Sequence, residues 1–170
     1  MSRAPLALTL GAVIAFTGCA GRRIENGVYH SDKGYRLTLP GADWSVAGAS
    51  KADIELRHRD GLAAMLANAE CDERARARSA GLLLGQLLIG LRDRATIEQN
   101  EISVNGQPAL HRVLDARAAA DGSPTRIEAY VLKDRSCVYD FAYAAPPAAF
   151  EQWRPDFHRF VESFARERAD

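Results

Sequence analysis

The strongest constraint on the fold is a series of four alternating apolar and polar segments joined by short turns. The segments comprise residues 96–104, 108–117, 125–133 and 137–145. The first turn, Asn105-Gly106, is among the strongest short-range signals for a β-hairpin, because both residues tolerate the positive φ angles of a two-residue turn. Turns this short join neighbouring strands antiparallel. The sequence therefore predicts a four-stranded antiparallel meander.

Two further hairpins are predicted before the meander. Residues 28–40 alternate around a turn at residues 31–34, and residues 53–71 turn at Asp60-Gly61. The second arm of the later hairpin is small or apolar on both sides for most of its length, which is typical of a strand covered on both faces. Trp44, between the hairpins, is predicted to lie in a loop, with its indole packed at an edge of the core.

The first predicted helix covers residues 78–94. Leucines recur in it at helical spacing, and Ser79 is suited to cap its start. Its apolar stretch of twelve residues, 80–91, is shorter than the roughly 20 residues that span a bilayer, so we expect it to pack on a core. The preceding segment, 71–79, carries alternating arginines and is expected to be a solvated loop.

The second predicted helix covers residues 148–167 and has an aromatic stripe expected to pack on the sheet. The stripe contains Phe150, Trp153, Phe157, Phe160, Val161 and Phe164. Pro155 either kinks this helix or opens its main part after a short first turn. The order of elements predicts an α+β fold, with a mainly antiparallel sheet and two principal helices packed on it.

The N-terminus has the pattern of a secretory signal. A basic start with Arg3 precedes an apolar run, Pro5–Phe16, that is too short to span a membrane. The following "FTGC" resembles the lipobox of bacterial lipoproteins, although Phe16 stands where that family prefers leucine. The resemblance implies cleavage after residue 18 and lipid attachment at Cys19. An uncleaved signal anchor, or soluble export with a free Cys19, is the alternative.

The lipobox resemblance also implies a domain plan and a location. Residues 1–18 would be the signal peptide, 19–27 a tether, and 28–167 a single α+β domain facing the periplasm. Two or more acyl chains anchor a protein stably where one chain does not. Ala20 replaces the aspartate that retains such proteins in the inner membrane of some bacteria, which favours the outer membrane of the cell envelope.

Two cysteines remain in the exported domain, Cys71 and Cys137. An even pair in an oxidising compartment is a disulfide candidate. Two separate buried thiols are the alternative.

The sequence contains no recognisable catalytic or metal-binding motif. His30, His58, His111 and His158 lack the spacing of a zinc site, and His58 is expected to end a buried strand face. There is no G-x-S-x-G, C-x-x-C or phosphate-binding loop, so no catalytic residue, metal or cofactor is predicted.

Balanced charge, with 22 basic and 22 acidic residues, gives no indication of nucleic-acid binding. Asp140 is expected to be buried for a structural reason, with an arginine such as Arg112 as its partner.

Three stretches resemble domains of the PsbP/Mog1 family. They are "GYRLTLPGADW" (34–44), "VNGQPALHRVLDA" (104–116) and "FEQWRPDFHRFVESF" (150–164). The resemblance implies an α/β/α sandwich around an antiparallel sheet, in a family whose members mostly act as binding or assembly factors. The functional hypothesis is a non-catalytic envelope lipoprotein that binds an envelope protein or a small ligand. A periplasmic hydrolase, whose residues converge only in the fold, is the alternative.

Overall fold

The computed structural model describes residues 23–167, in which the strands form two antiparallel sheets and three helices pack on the larger one. The strands are β1 (Arg23–Glu25), β2 (Val28–Ser31), β3 (Tyr35–Thr38), β4 (Trp44–Val46), β5 (Ile54–His58), β6 (Ala64–Glu70), β7 (Leu91–Val104), β8 (Gln107–Ala118), β9 (Pro124–Lys133), β10 (Val138–Ala145) and β11 (Ala165–Arg166). The helices are α1 (Glu73–Ala77), α2 (Ala80–Leu87) and α3 (Phe150–Glu162).

The larger sheet is the middle layer of the molecule. Its seven strands run in the order β4-β5-β6-β10-β9-β8-β7, and the smaller sheet has the order β1-β2-β3-β11. One side of the larger sheet, the α3 face, packs against α3 and the smaller sheet. The other side, the α2 face, packs against α1 and α2. The predicted α+β class and α/β/α layering are confirmed, with the strands divided between two sheets.

The main core lies on the α3 face. The aromatic stripe of α3 is buried there, as predicted, and its rings contact those of β10, for example Phe141 and Phe160 at 6.4 Å between centroids. Pro155 lies inside a continuous helix. The predicted helical stretch ends early, because residues 165 and 166 pair with β3 as β11.

The helical prediction for residues 78–94 is only partly right. The Ser79 hydroxyl caps α2 by accepting a hydrogen bond from the Leu82 amide, as predicted. The helix ends at Leu87, and Gly90 then adopts a φ of 93° that allows the chain to leave the helix. Pairing of β7 with β8, which begins at Leu91, overrides the leucine spacing.

Three other segments differ from prediction. Residues 73–77, expected in a solvated loop, form α1 with Asp72 as its cap. Trp44 begins the edge strand β4, and its buried indole donates a hydrogen bond to Asp156 at 2.8 Å. Residues 23–25, expected in the tether, form β1 against β2.

The hairpin predictions are confirmed by the strand pairings. Asn105 and Gly106 have φ angles of 49° and 79°, as a two-residue turn of their type requires. None of the helices between residues 23 and 167 has the length and apolarity needed to cross a membrane.

Candidate functional site

The structure describes two of the three predicted site residues. Cys71, just after β6, and Cys137, just before β10, form a disulfide across 66 positions of sequence. A bridge that closes a loop of this length stabilises a fold by about 4 kcal/mol in the chain-entropy model. Cys19 and the predicted signal peptide lie outside the described residues.

The four histidines occupy separate structural settings, except for one pair. His58 is buried at the end of β5, as predicted, and its ring packs between those of Trp44 and Trp153. His111 and His158 converge on one carboxylate, that of Glu128. Across residues 23–167, no group of three or more His, Cys, Asp or Glu side chains is arranged to hold a metal ion.

Glu128 is the centre of a buried polar cluster on the α3 face, which sequence analysis missed. Its side chain has no solvent exposure. Its Oε1 atom lies 2.8 Å from His111 Nε2, 3.0 Å from His158 Nε2 and 2.9 Å from the Tyr130 hydroxyl. Arg154 Nε donates to Oε2 at 2.8 Å. These five residues form the Glu128 cluster, which joins β8 and β9 to α3.

The electrostatics of the cluster keep the carboxylate ionised. Burial alone would raise the pKa of Glu128. The hydrogen bonds from the two histidines and the arginine outweigh burial and hold this pKa far below its usual value. Because an ionised carboxylate only accepts hydrogen bonds, both imidazoles donate through Nε2. Glu128 is therefore surrounded by donors and has little capacity to act as a general base.

A polar pocket of about 390 Å³ opens beside the Glu128 cluster. We call it the α3-side pocket; it is lined by Ile102, Ser103, Val104, Asn105, Tyr130, His158, Val161 and Glu162. His158 is the most accessible imidazole of the cluster, with 38% of its side chain exposed. Strand alternation directs the Ser103 side chain to the opposite face, because Ser103 pairs with Pro108 whereas Ile102 pairs with Ala109 of the α3-face core. No nucleophile of β7 therefore points at His158.

Asp140 lies on the α2 face of β10 without the partner that sequence analysis predicted. Its Oδ1 atom is buried without a hydrogen bond among the described residues. Arg112 instead donates to Gln99 Oε1, with its Nε at 2.8 Å. Burial, reinforced by the nearby charge of Glu70, raises the pKa of Asp140 to about 7. The expectation of burial is right for Oδ1, in a residue that is half-buried as a whole, and the expectation of an arginine partner is wrong.

An apolar groove of about 250 Å³ runs between the end of α2 and the sheet. This α2 groove exists because α2 is short and lies over β8 and β9, while small side chains on β6 and β10 fill little space. Its lining includes Ala64, Leu66, Leu87, Leu88, Ile89, Leu91, Ile127, Ala142 and Ala144. Ile89 forms an open lip, with 78% of its surface exposed.

The sequence held a weak signal for the buried glutamate. In β9, Tyr130 and Leu132 lie on the same side as Glu128 and are as apolar as the residues of the opposite side. A strand that is apolar on both sides is covered on both faces, so a glutamate within it must be buried and paired. Tyr130 is two positions away, but nothing in the local sequence identifies the histidine and arginine partners, which lie 17 to 30 positions away.

Comparison with known proteins identifies the fold. No protein-family model matches the chain, and no curated protein matches it significantly. Among solved structures, cyanobacterial PsbP (CyanoP) from Synechocystis sp. PCC 6803 is similar over 88% of this chain and 98% of its own, with a TM-score of 0.59 at 15% identity. The chain has a PsbP-like fold. The resemblance seen in the sequence is thus confirmed at the level of architecture.

Two other structures share the PsbP-like fold. LpqN, involved in cell envelope biogenesis of Mycobacterium tuberculosis, is 12% identical, with a TM-score of 0.58 over 82% of this chain and 88% of its own. A Pseudomonas aeruginosa protein of unknown function is 13% identical, with a TM-score of 0.52 over 79% of this chain and 91% of its own. Identities this low show a common fold, and a common fold does not specify a function.

Proposed function

We propose that this protein is a lipid-anchored, non-catalytic module of the bacterial cell envelope that binds a protein partner through the α2 groove. The observation that carries the proposal is the open apolar groove with the exposed Ile89 at its lip. Exposed apolar surface beside a groove is typical of a protein-interaction site.

The size of the groove favours apolar side chains of a protein over a small molecule. Pockets for small ligands occupy about 300–1,000 Å³ and enclose most of the ligand. The α2 groove has about 250 Å³, and it is open along one side. One or two apolar side chains of a partner would fill it, with the remaining contacts made around Ile89.

The Glu128 cluster supports a non-catalytic role. A hydrolase could use the Glu128–His158 pair to orient an imidazole, but it would also need a nucleophile within hydrogen-bond reach of that imidazole. Ser103 is a lining residue of the adjoining pocket, but strand alternation directs its side chain to the other face of the sheet. The periplasmic hydrolase therefore has less support than the binding module.

The compared structures also support an envelope role. LpqN has the same fold and is involved in cell envelope biogenesis. None of the three compared proteins is named as an enzyme.

The lipid anchor would hold the domain close to a membrane. The chain from Cys19 to Arg23, where β1 begins, can span at most about 14 Å. The smaller sheet, which contains β1, lies on the α3 face, so the α2 groove opens on the other side of the larger sheet. Ala20 after the lipidated cysteine supports the outer membrane as the location, with the domain facing the periplasm.

Replacing Cys19 with alanine tests the anchor. We expect Cys19→Ala to move most of the protein from the membrane pellet to the soluble fraction, because acyl chains contribute about 0.8 kcal/mol for each buried CH₂ group. Immunoblotting of fractionated cells measures the change. Ala20→Ser is the matched control and should stay in the pellet, whereas a Cys19→Ala protein that still sediments with membranes would contradict lipid anchoring.

Replacing Ile89 with glutamate tests the groove. We expect Ile89→Glu to reduce crosslinking to a specific envelope partner in cells at least about tenfold, because burying an unpaired polar or charged group in an apolar contact costs about 2 kcal/mol or more. Mass spectrometry of crosslinked products identifies and quantifies the partner. Ile97→Glu, at an exposed isoleucine of β7, is the control. Equal crosslinking by both variants would exclude the groove as the binding surface.

A further inference from the structure

The strand β7 is an edge strand of the larger sheet. Among residues 23–167 it pairs only with β8, and between residues 92 and 103 both of its faces are exposed. An edge strand leaves the N–H and C=O groups of alternate residues without partners in the sheet, so it can accept a further strand. The opposite edge strand, β4, has only three residues.

The two halves of β7 differ in how well they suit this role. Its first half is interrupted by register shifts between Arg92 and Ala95 and between Thr96 and Glu98. Such bulges protect natural sheet edges from pairing. Residues 98–104 then pair with β8 in unbroken register. The Asn105 side chain donates to the carbonyl oxygens of Glu162 at 2.6 Å and Phe164 at 2.8 Å, which fixes this end of the hairpin to α3.

A pocket lies on each face of this regular stretch. On one face, Ile102 and Val104 line the α3-side pocket. On the other, Gln99 and Glu101 line a pocket of about 520 Å³, the α2-side pocket, together with residues of α2, β8 and β9. A strand added to residues 98–104 would direct alternate side chains to opposite faces, and therefore towards the two pockets in turn. Such pockets provide specificity in strand-addition complexes, while main-chain hydrogen bonds provide affinity.

The chemistry of the two pockets differs. On the α3 face, Glu162 lines the α3-side pocket, and the exposed Glu98 accepts a hydrogen bond from Asn100 and lies 3.7 Å from His111 Nδ1. The α2-side pocket has a mainly apolar lining that includes Leu110 and Val131, together with one carboxylate, that of Glu101. Its one cation, Lys133, donates to main-chain carbonyl oxygens of residues 76 and 78. The complementary strand therefore carries basic side chains towards the α3 face and apolar side chains towards the α2 face.

We propose that residues 98–104 of β7 bind an extended segment of a partner protein in which basic and apolar residues alternate. Acidic side chains at the edge favour this occupant over a second copy of the chain, because an antiparallel pairing of two copies centred on residue 101 would place one Glu101 directly opposite the other; like charges across paired strands are destabilising. The inference rests on the proposed binding role, and it uses a surface separated from the α2 groove by α2.

Binding of a synthetic peptide tests the proposal. The probe is fluorescent Lys-Val-Lys-Val-Lys-Val-Lys, titrated into the lipidated protein in detergent and followed by anisotropy. We expect saturable binding below about 1 mM and slower hydrogen–deuterium exchange confined to the segment containing residues 98–104. N-methylation of either the valines or the lysines should weaken binding at least about tenfold, because one of these sets supplies the main-chain donors.

Charge variants separate this edge from other surfaces. Glu98→Lys should weaken peptide binding about fivefold or more, whereas Glu73→Lys, on the exposed side of α1, should leave it unchanged. Ile89→Glu should also leave peptide binding unchanged. A failure of the proposed binding at the α2 groove can therefore be distinguished from a failure of the proposed binding at β7. The proposal is overturned if no binding occurs at about 1 mM, if both N-methylated peptides bind as well as the parent peptide, or if exchange at residues 98–104 depends on protein concentration without peptide.

Discussion

Replacing Glu128 with glutamine is expected to destabilise the protein by about 3–5 kcal/mol at pH 7, because the donors around this buried side chain lose the charge and one oxygen of their shared acceptor. Glutamine has nearly the same volume as glutamate, so loss of packing contributes little. Its amide NH₂ group replaces one carboxylate oxygen, so it would face either Arg154 Nε, at the position of Oε2, or the two histidines, at the position of Oε1. Chemical denaturation of both proteins at pH 7 measures the difference in the free energy of unfolding.

The same substitution should show a defined dependence on pH. The pKa of Glu128 is lower in the folded protein than in the unfolded chain, where it is about 4.3. The unfolded state therefore binds more protons below that pH, and the stabilisation, complete above about pH 5, declines as the pH falls further. The difference between the wild type and Glu128→Gln should shrink accordingly.

Glu151, a second carboxylate that contacts Arg154, provides a matched control. Glu151 lies 3.5 Å from Arg154 and is largely exposed, so Glu151→Gln should change the free energy of unfolding by less than about 0.5 kcal/mol. Similar losses for the two variants would show that the Glu128 cluster contributes no more than a surface ion pair.

Replacing Asp140 with asparagine is expected to stabilise the protein at alkaline pH by up to about 4 kcal/mol. The pKa of Asp140 is raised to about 7 in the folded state, against about 3.9 in the unfolded chain. The folded state therefore holds a proton that the unfolded state has lost, and stability declines as the pH rises from about 4 through 7. Asparagine resembles the protonated carboxyl and never ionises.

The stabilisation by Asp140→Asn should increase as the pH rises. The wild type and Asp140→Asn should have similar free energies of unfolding near pH 4, diverge up to about pH 7 and then stay apart. Denaturation series at several pH values measure this difference. Asp43→Asn, at an exposed ion pair with Arg59, is the control and should change stability by less than about 0.5 kcal/mol. An equal effect at all pH values would contradict a buried, titrating Asp140.

Local patterns predicted the parts of the fold that local interactions determine. The Asn105-Gly106 turn and the alternation around it specify a hairpin, because the turn geometry fixes which residues of the two strands face each other. The aromatic stripe of α3 specifies a helix with one buried face for the same kind of reason. These signals depend only on residues a few positions apart.

The predictions that failed involve contacts between distant segments. Leucine spacing continues past the end of α2, yet Leu91 pairs with Ala118 in a strand. Trp44 was predicted in a loop, whereas β4 forms against β5. In each case pairing with another strand outweighs a local preference of a few tenths of a kcal/mol per residue.

The sequence by itself determined the hairpins, the Ser79 cap of α2 and the buried aromatic face of α3. It also contains the lipobox-like segment at Cys19, which lies outside the described residues. Only the tertiary structure decided that Glu128 is buried among four donors, that Asp140 Oδ1 has no hydrogen bond within residues 23–167, and that α2 leaves a groove uncovered. The physical reason is that burial and pairing depend on which distant elements cover a face of the sheet. A strand pattern shows that two faces exist, but it does not show how completely a short helix covers one of them.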